Sequence, residues 1–276
     1  MLEVKELEAL QDASRMDLDT RFNFRCDPGR SCFNHCCRDV AILLSPYDVL
    51  RLKHALQMSS TEFLDKYALR MRSHDKHVPV VLLRMDEETR ACPFVSEAGC
   101  TVYKDRPWPC RMYPLGMAEP KGPHAADQRF YFLVQEELCE GHKACEQQSV
   151  REWIANQGLE PFDAMQAPFL EFMSHPGWEM AEQMPENMLA MYFMALYDLD
   201  RFRRFIAETR FFELFEIDDA RAEAILNDDE ELLEFAIDWL AFSLFHEKRM
   251  KLRPIAAVRA QAAGKAASEG GAYEHA

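Results

Sequence analysis

Cysteine is the residue type in this sequence that is best suited to bind metal or to react, and its placement is uneven. Nine cysteines occur among 276 residues, and none follows position 145. Thiolates are strong ligands for zinc and for the iron of iron–sulfur clusters. The clustering therefore predicts metal binding. The spacing runs Cys26-x5-Cys32-x3-Cys36-Cys37, then Cys92-x7-Cys100-x9-Cys110, then Cys139 and Cys145.

Two of these cysteines, Cys36 and Cys37, are adjacent. Neighbouring side chains of an extended segment point to opposite sides, so the pair does not close easily on one metal. Either the two residues serve different sites, or one is a ligand and the other is structural or reactive. Eight cysteines would make two sites of four thiolates each, and a single site with several spare thiols is the alternative.

Basic residues flank both cysteine groups, although the chain as a whole carries a net charge of −15. Four thiolates on one Zn²⁺ leave a charge of about −2, which nearby cations would compensate. Alternatively, each of these basic residues is an ordinary solvated side chain with no role at a metal. The candidates are Arg25, Arg30 and Arg38 at the first group, and Lys104, Arg106 and Arg111 at the second.

Composition and charge limit the function classes. The acidic balance argues against non-specific nucleic-acid binding, which relies on a basic face. No apolar run approaches the roughly 20 residues of a membrane span, and the acidic N-terminus does not resemble a secretory signal. We therefore expect a cytoplasmic protein. In that reducing compartment, clustered thiols indicate metal or redox chemistry rather than disulfides.

The predicted elements that position the cysteines are short strands and capped helices. Strands are expected at VAILL (40–44), VPVVLLRM (78–85) and RFYFLV (129–134), and ACPFV (91–95) is expected to be the partner strand of 78–85. Helices are expected from Ser45, whose hydroxyl caps a turn containing Asp48, and across 59–73, where Ser59 and Glu62 have capping-box spacing. From about residue 146 the sequence reads as helical, including NMLAMYFMALYDLDRFRRFI (187–206) and EELLEFAIDWLAFSLF (230–245).

These elements predict an α+β fold: a small, loop-rich cysteine domain with a few short strands, followed by an all-helical C-terminal region. The Met-, Phe- and Leu-rich stripes of that region are predicted to be core. The expected organisation is a polar leader at 1–23, a metal-binding domain at 24–145, a helical region at 146–250 and a disordered tail at 251–276.

The motifs resemble the CxxCxxCC zinc- or iron-chelating family, also described as YkgJ-like cysteine-cluster proteins. The resemblance rests on the C…C…CC opening, on CPFVSEAGCTVYKDRPWPCRMYP and on ELCEG, and it covers residues 26 to about 142. The first block departs from the family pattern, because its spacers are longer than two residues. The ligands that the resemblance implies are Cys26, Cys32, Cys36, Cys37, Cys92, Cys100, Cys110 and Cys139.

Other residues near the cysteines have open roles. His35 and His142 are candidate ligands or hydrogen-bond donors to sulfur. Cys145 falls outside the family pattern and is interpreted as a plain buried thiol or a reactive spare. Tyr113 and Trp108 are predicted to pack rather than to stack on a cofactor.

The sequence contains none of the common nucleotide-binding, hydrolase and zinc-protease motifs. Two function classes remain. The first is an iron–sulfur protein, of the [4Fe-4S] type, with a redox or methyl-transfer role. The resemblance implies the redox role through relatives described as iron–sulfur oxidoreductases, and it implies methyl transfer through a branch that distantly resembles flagellin lysine N-methylases. The second is a structural zinc scaffold whose helical region binds a partner protein without catalysis. A thiol redox sensor is a weaker third interpretation.

Overall fold

Strands occupy the first part of the chain and helices dominate the rest. The computed structural model describes residues 14–73, 77–118 and 129–254. Within these ranges every strand ends before residue 150, and the longest helix ends at Phe245. The α+β fold class is therefore confirmed. The chain forms two compact units, Met1–Ala167 and Pro168–Ala276, and the domain limits drawn from the sequence stay predictions.

The strands are short, and all of their pairings are antiparallel. The described residues contain nine strands in four sheets. The sheets pair β1 (Arg21–Asn23) with β9 (Gln147–Ser149), β4 (Pro79–Leu83) with both β2 (Leu43–Leu44) and β3 (Ala68–Arg72), β5 (Val95–Ser96) with β6 (Gly99–Cys100), and β7 (Leu115–Ala118) with β8 (Phe130–Leu133).

Two helices begin after the predicted N-cap serines, and both starts are capping boxes, of which only the second was predicted. Helix α1 (Pro46–Ala55) starts after Ser45, whose hydroxyl accepts a hydrogen bond from the amide of Asp48 while the Asp48 carboxylate accepts from the amide of Ser45. Helix α2 (Ser60–Tyr67) starts in the same way after Ser59, with Glu62 as the reciprocal partner. Reciprocal bonds of this kind satisfy amides that a helix start leaves unpaired.

Two local predictions are wrong. The helix expected across 59–73 ends at Tyr67, because Ala68–Arg72 pairs residue by residue with β4. Nor is ACPFV the partner strand of 78–85: β4 pairs with β2 and β3, and Val95 instead begins the small β5–β6 hairpin. In both places a non-local pairing overrides the local pattern.

A buried apolar cluster lies beneath the cysteines in the N-terminal unit. Helix α3 (Trp108–Met112) and helix α4 (Val150–Asn156) are joined there, because the Trp153 indole donates to the Met112 carbonyl at 3.1 Å. The RPWPCRMYP stretch thus places Cys110 on a helical turn. The cluster consists of Met16, Phe22, Phe24, Met112, Leu115, Tyr131, Val150, Trp153 and Leu159.

The C-terminal part is helical, as predicted, but its first long helix is interrupted. The pattern at 187–206 is split at Asp198, which is the N-cap residue of a new helix. Phe202 and Trp239 stack at 5.2 Å and are buried, as expected of a core stripe. The helices are α5 (Glu160–Met173), α6 (Glu186–Tyr197), α7 (Leu199–Glu208), α8 (Phe211–Leu214), α9 (Asp219–Asn227) and α10 (Asp229–Phe245).

The predicted leader and tail are only partly described. Residues 1–13 and 255–276 lie outside the described ranges, so the predictions made for them are untested there. Closer to the domain, Met16 and Phe22 are buried, and β1 begins at Arg21. The C-terminal residues of the predicted leader therefore contribute to the core.

Among the described residues, no helix combines the length and apolar character needed to cross a membrane.

Candidate metal centre

Seven of the eight candidate ligands line one cavity of about 1300 Å³ in the N-terminal unit. The remaining one, Cys92, is tied to the same region because its amide donates to the Cys37 carbonyl at 2.8 Å. All nine cysteines of the chain are free thiols. The cavity cysteines are Cys26, Cys32, Cys36, Cys37, Cys100, Cys110 and Cys139.

The first group of thiols gathers cysteines from opposite ends of the cysteine domain. Cys26 lies in electrostatic range of Cys32, Cys36 and Cys139. Cys139 directly precedes the short 3-10 helix Glu140–Lys143, and the first amide of that helix donates to the Cys32 sulfur at 3.2 Å. A backbone amide directed at sulfur stabilises a thiolate and lowers its negative charge density.

The second group comes from the middle of the domain. Cys110, on α3, lies in electrostatic range of Cys92 and Cys100. Cys100 ends the β5–β6 hairpin, and Cys92 precedes that hairpin. Three thiols from a hairpin and a helical turn therefore lie near one another.

Cys36 and Cys37 lie on one short 3-10 helix, His35–Cys37. The side chains of Cys36 and Cys37 hydrogen-bond each other. That helix starts at Asn34, whose φ of 66° is in the left-handed region that asparagine tolerates better than most residues. The tight turn brings the adjacent pair to the cavity wall.

Two of the six flanking cations interact with the thiols or lie beside them. Arg106 is in electrostatic range of Cys100 and Cys110. Arg30 lines the cavity and donates to the Glu140 carbonyl at 2.9 Å. Within the described residues, the Nε atoms of both arginines are buried and have no hydrogen-bond partner.

Three of the other flanking cations have structural partners. Arg25 bonds Glu146 at 2.6 Å, and Arg38 donates to the Thr89 carbonyl. Arg111 is buried and donates to backbone carbonyls, including that of Gln157 at 2.7 Å. Arg111 therefore braces the loop that carries the second group rather than facing sulfur.

Tyr113 contributes more than the packing predicted for it. Its ring packs edge-on against Phe24 at 5.8 Å, and its hydroxyl donates to the Glu136 carboxylate at 3.4 Å and lies beside the Cys139 thiol. Burial raises the pKa of Tyr113 and the Cys139 contact adds to the shift, so the hydroxyl keeps its proton. No local sequence signal predicts this role, because Tyr113 and Cys139 lie far apart along the chain.

The histidines and Cys145 have different environments. His35 lines the cavity at its exposed edge. Both ring nitrogens of His142 are buried without a hydrogen-bond partner in the described part of the chain, and the ring lies 5.2 Å from that of Phe24. Cys145 is exposed rather than buried as one interpretation had it.

Burial makes several of these thiols hard to ionise. It raises the pKa of Cys26 to about 11 and that of Cys110 to about 12, and the neighbouring thiols act in the same direction. The pKa of Cys36 is raised first by its hydrogen bond to Cys37 and then by burial. Near neutral pH these groups are protonated thiols, so any metal that binds must displace protons.

We expect the metal-free protein to lose stability as the pH rises. An unfolded thiol has a pKa of about 8.5, whereas Cys110 folds with a pKa of about 12. The folded state therefore holds this proton more tightly, and the resulting stability is lost between those pH values. From about pH 8 to about pH 10 the loss is on the order of 1–2 kcal/mol for Cys110.

Urea unfolding of metal-free protein across this pH range measures the effect. Cys110→Ala should flatten the pH dependence, whereas Cys145→Ser should leave it unchanged, since Cys145 is exposed. The prediction would be contradicted if the free energy of unfolding of the unmodified protein stayed constant or rose between about pH 8 and about pH 10.

The donor set fits a thiolate-bound metal. Within residues 14–73, 77–118 and 129–254, no three His, Cys, Asp or Glu side chains are gathered closely enough to hold a metal ion as they stand. The sulfurs nevertheless border one cavity, one accepts a backbone amide, and Arg106 lies beside two others. These are features that stabilise thiolate ligands.

A cavity bordered by thiols and arginines is typical of a cysteine-based metal-binding domain. Residues 25–147 match the family model CxxCxxCC, described as "Putative zinc- or iron-chelating domain". The match spans all eight candidate ligands and confirms the resemblance drawn from the motifs. It supports chelation of zinc or iron by this segment. No curated protein and no solved structure matches the chain.

Proposed function

We propose that the eight cysteines hold iron–sulfur centres of the [4Fe-4S] type, with a redox or methyl-transfer role toward another macromolecule. The observation that carries the proposal is the convergence of seven candidate ligands on one cavity of about 1300 Å³. One tetrahedral zinc and one [4Fe-4S] cluster each use four thiolates, so eight cysteines are enough for two centres. When bound, the cluster would supply one-electron chemistry.

The residues around the thiols would set the properties of the bound centre. The Glu140 amide hydrogen-bonds the Cys32 sulfur at 3.2 Å, and the Tyr113 hydroxyl lies beside Cys139. A hydrogen bond to a ligand sulfur makes a cluster easier to reduce. Arg106 compensates negative charge beside Cys100 and Cys110. The aromatic wall formed by Trp108 and Trp153 limits the access of water from one side.

A structural zinc scaffold is the second candidate. The matched domain is described as chelating zinc or iron, and a closed site of four cysteines needs no substrate. In that case the helical C-terminal region would serve as the surface for a partner protein. Under either proposal the protein works in the cytoplasm, where a reducing environment keeps thiols available, and neither nucleic acid nor membrane is the expected partner.

Anaerobic purification followed by analysis for iron, acid-labile sulfide and zinc tests the choice. We expect a coloured protein with iron and sulfide in matching amounts, and loss of most of both in Cys110→Ala. Cys145→Ser is the matched control and should keep the full metal content. A colourless protein with tightly held zinc would replace the iron–sulfur proposal by the scaffold. A protein that binds neither metal would defeat both.

A further inference from the structure

We infer that the eight cysteines form two separate centres, divided between Cys36 and Cys37. The inference rests on the proposed metal-binding function and adds the membership of each centre. The first centre comprises Cys26, Cys32, Cys36 and Cys139, and the second comprises Cys37, Cys92, Cys100 and Cys110.

The first membership follows from proximity. Cys26 interacts with three other thiols, those of Cys32, Cys36 and Cys139. Tyr113 lies beside two of these thiols, because both Cys139 and Cys36 are in its electrostatic range. The Glu140 amide joins Cys32 to the helix that Cys139 precedes. Together these contacts place four thiols in one group, three from the beginning of the domain and one from its end.

The second membership follows from separate contacts. Cys110 interacts with Cys92 and Cys100, and Cys92 interacts with Cys100. A tetrahedral centre needs a fourth thiolate beside these three. Cys37 is placed to supply it, because the Cys92 amide donates to the Cys37 carbonyl at 2.8 Å.

The 3-10 helix makes the division possible. With three residues per turn, adjacent side chains leave the helix axis in directions about 120° apart. Cys36 and Cys37 can therefore serve two centres from one short element. The two thiols lie beside each other, so this helix is where the two groups meet.

Each group also has its own arginine. Arg30 is held at the first group by the Glu140 carbonyl and also pairs with the Asp27 carboxylate at 3.6 Å, and Arg106 lies beside Cys100 and Cys110 of the second. Four thiolates on a divalent metal carry a charge of about −2. A cation at each group is what two separate anionic centres require.

Anaerobic titration of the full-length, metal-free protein with Zn²⁺, and with Co²⁺ as an optical probe, tests the division. We expect two equivalents in the unmodified protein. Cys26→Ala and Cys100→Ala should each halve the stoichiometry, and the double variant should bind neither equivalent. Cys145→Ser should retain both.

The adjacent pair gives the sharpest comparison. Cys36→Ala and Cys37→Ala should each weaken one equivalent. The double variant Cys26→Ala/Cys36→Ala should still bind one equivalent, because both changes affect the first centre. The double variant Cys26→Ala/Cys37→Ala should keep no tight site, because each change affects a different centre. Circular dichroism checks that each variant is folded, and Cys32→Ala replaces Cys26→Ala if the latter unfolds.

The outcomes separate this inference from the function on which it rests. One equivalent in the unmodified protein, or loss of the same equivalent in Cys26→Ala and Cys100→Ala, would overturn the division while leaving metal binding intact. Failure of the unmodified protein to bind Zn²⁺ or Co²⁺, together with the absence of iron and sulfide after anaerobic purification, would defeat the proposed function itself.

Discussion

Replacing Asp48 with alanine is expected to lower the free energy of unfolding by about 3–5 kcal/mol. Asp48 is 1% exposed. Its carboxylate accepts hydrogen bonds from the Ser45 amide, the Ser45 hydroxyl and the Trp108 amide, each at 2.8 Å. The alanine would leave the Trp108 amide, at the start of the helix bearing Cys110, without its acceptor. We therefore expect weaker zinc binding as well, measured by competition with a chelator.

Glu62→Ala is the matched control for this change. Glu62 completes a capping box of the same design, with its carboxylate on the Ser59 amide at 2.9 Å, but that box is exposed. Its loss should cost about 1 kcal/mol and leave metal affinity unchanged. Equal costs for the two variants in urea unfolding would refute the cross-link from Asp48 to Trp108.

Replacing Gly141 with alanine should be the second severe change. A Cβ at this position would lie 2.4 Å from Cε2 of Phe24. Phe24 is 3% exposed and packs against Tyr113 and Trp153 at ring distances of 5.8 and 5.5 Å, so it has little room to move. Overpacking of this kind costs about 1–3 kcal/mol. Because Gly141 lies two residues after Cys139, the metal content of the purified protein should also fall.

A smaller side chain at position 24 tests the cause. Adding Phe24→Leu to Gly141→Ala should recover part of the lost stability, giving a favourable coupling in a double-mutant cycle. Gly29→Ala is the control, because its nearest neighbour is the Asp27 carboxylate of an exposed loop at 3.0 Å. Additive effects of the two core changes would argue against a clash with Phe24.

Local chemistry explains what the sequence predicted correctly in the fold. Both capping boxes depend on side chains three residues apart, so their signal lies within one turn. Ala68–Arg72 shows the opposite case. Its residues suit a helix as well as a strand, and only the pairing with Pro79–Leu83 decides between them. Such pairing is set by tertiary contacts that a local pattern does not contain.

The candidate site divides in the same way. The cysteine types and their clustering were visible in the sequence, and so was the question raised by Cys36 and Cys37. The Tyr113 contact with Cys139 and the Glu140 amide at Cys32 were not visible. Each depends on bringing residues near 32 and 113 to residues near 140, which the fold does through separate sheets.

The pairing of Arg21–Asn23 with Gln147–Ser149 has a consequence for how the domain is made. Ribosomes add about 5–20 residues per second, and roughly a hundred residues separate Cys37 from Cys139. The N-terminal thiols are therefore synthesised roughly 5–20 s before their last partner. During that interval these thiols are exposed on the growing chain and can react as nucleophiles. Metal delivery to the first centre then has to follow translation of the whole segment, and an oxidant or a competing metal ion present earlier meets four unprotected cysteines.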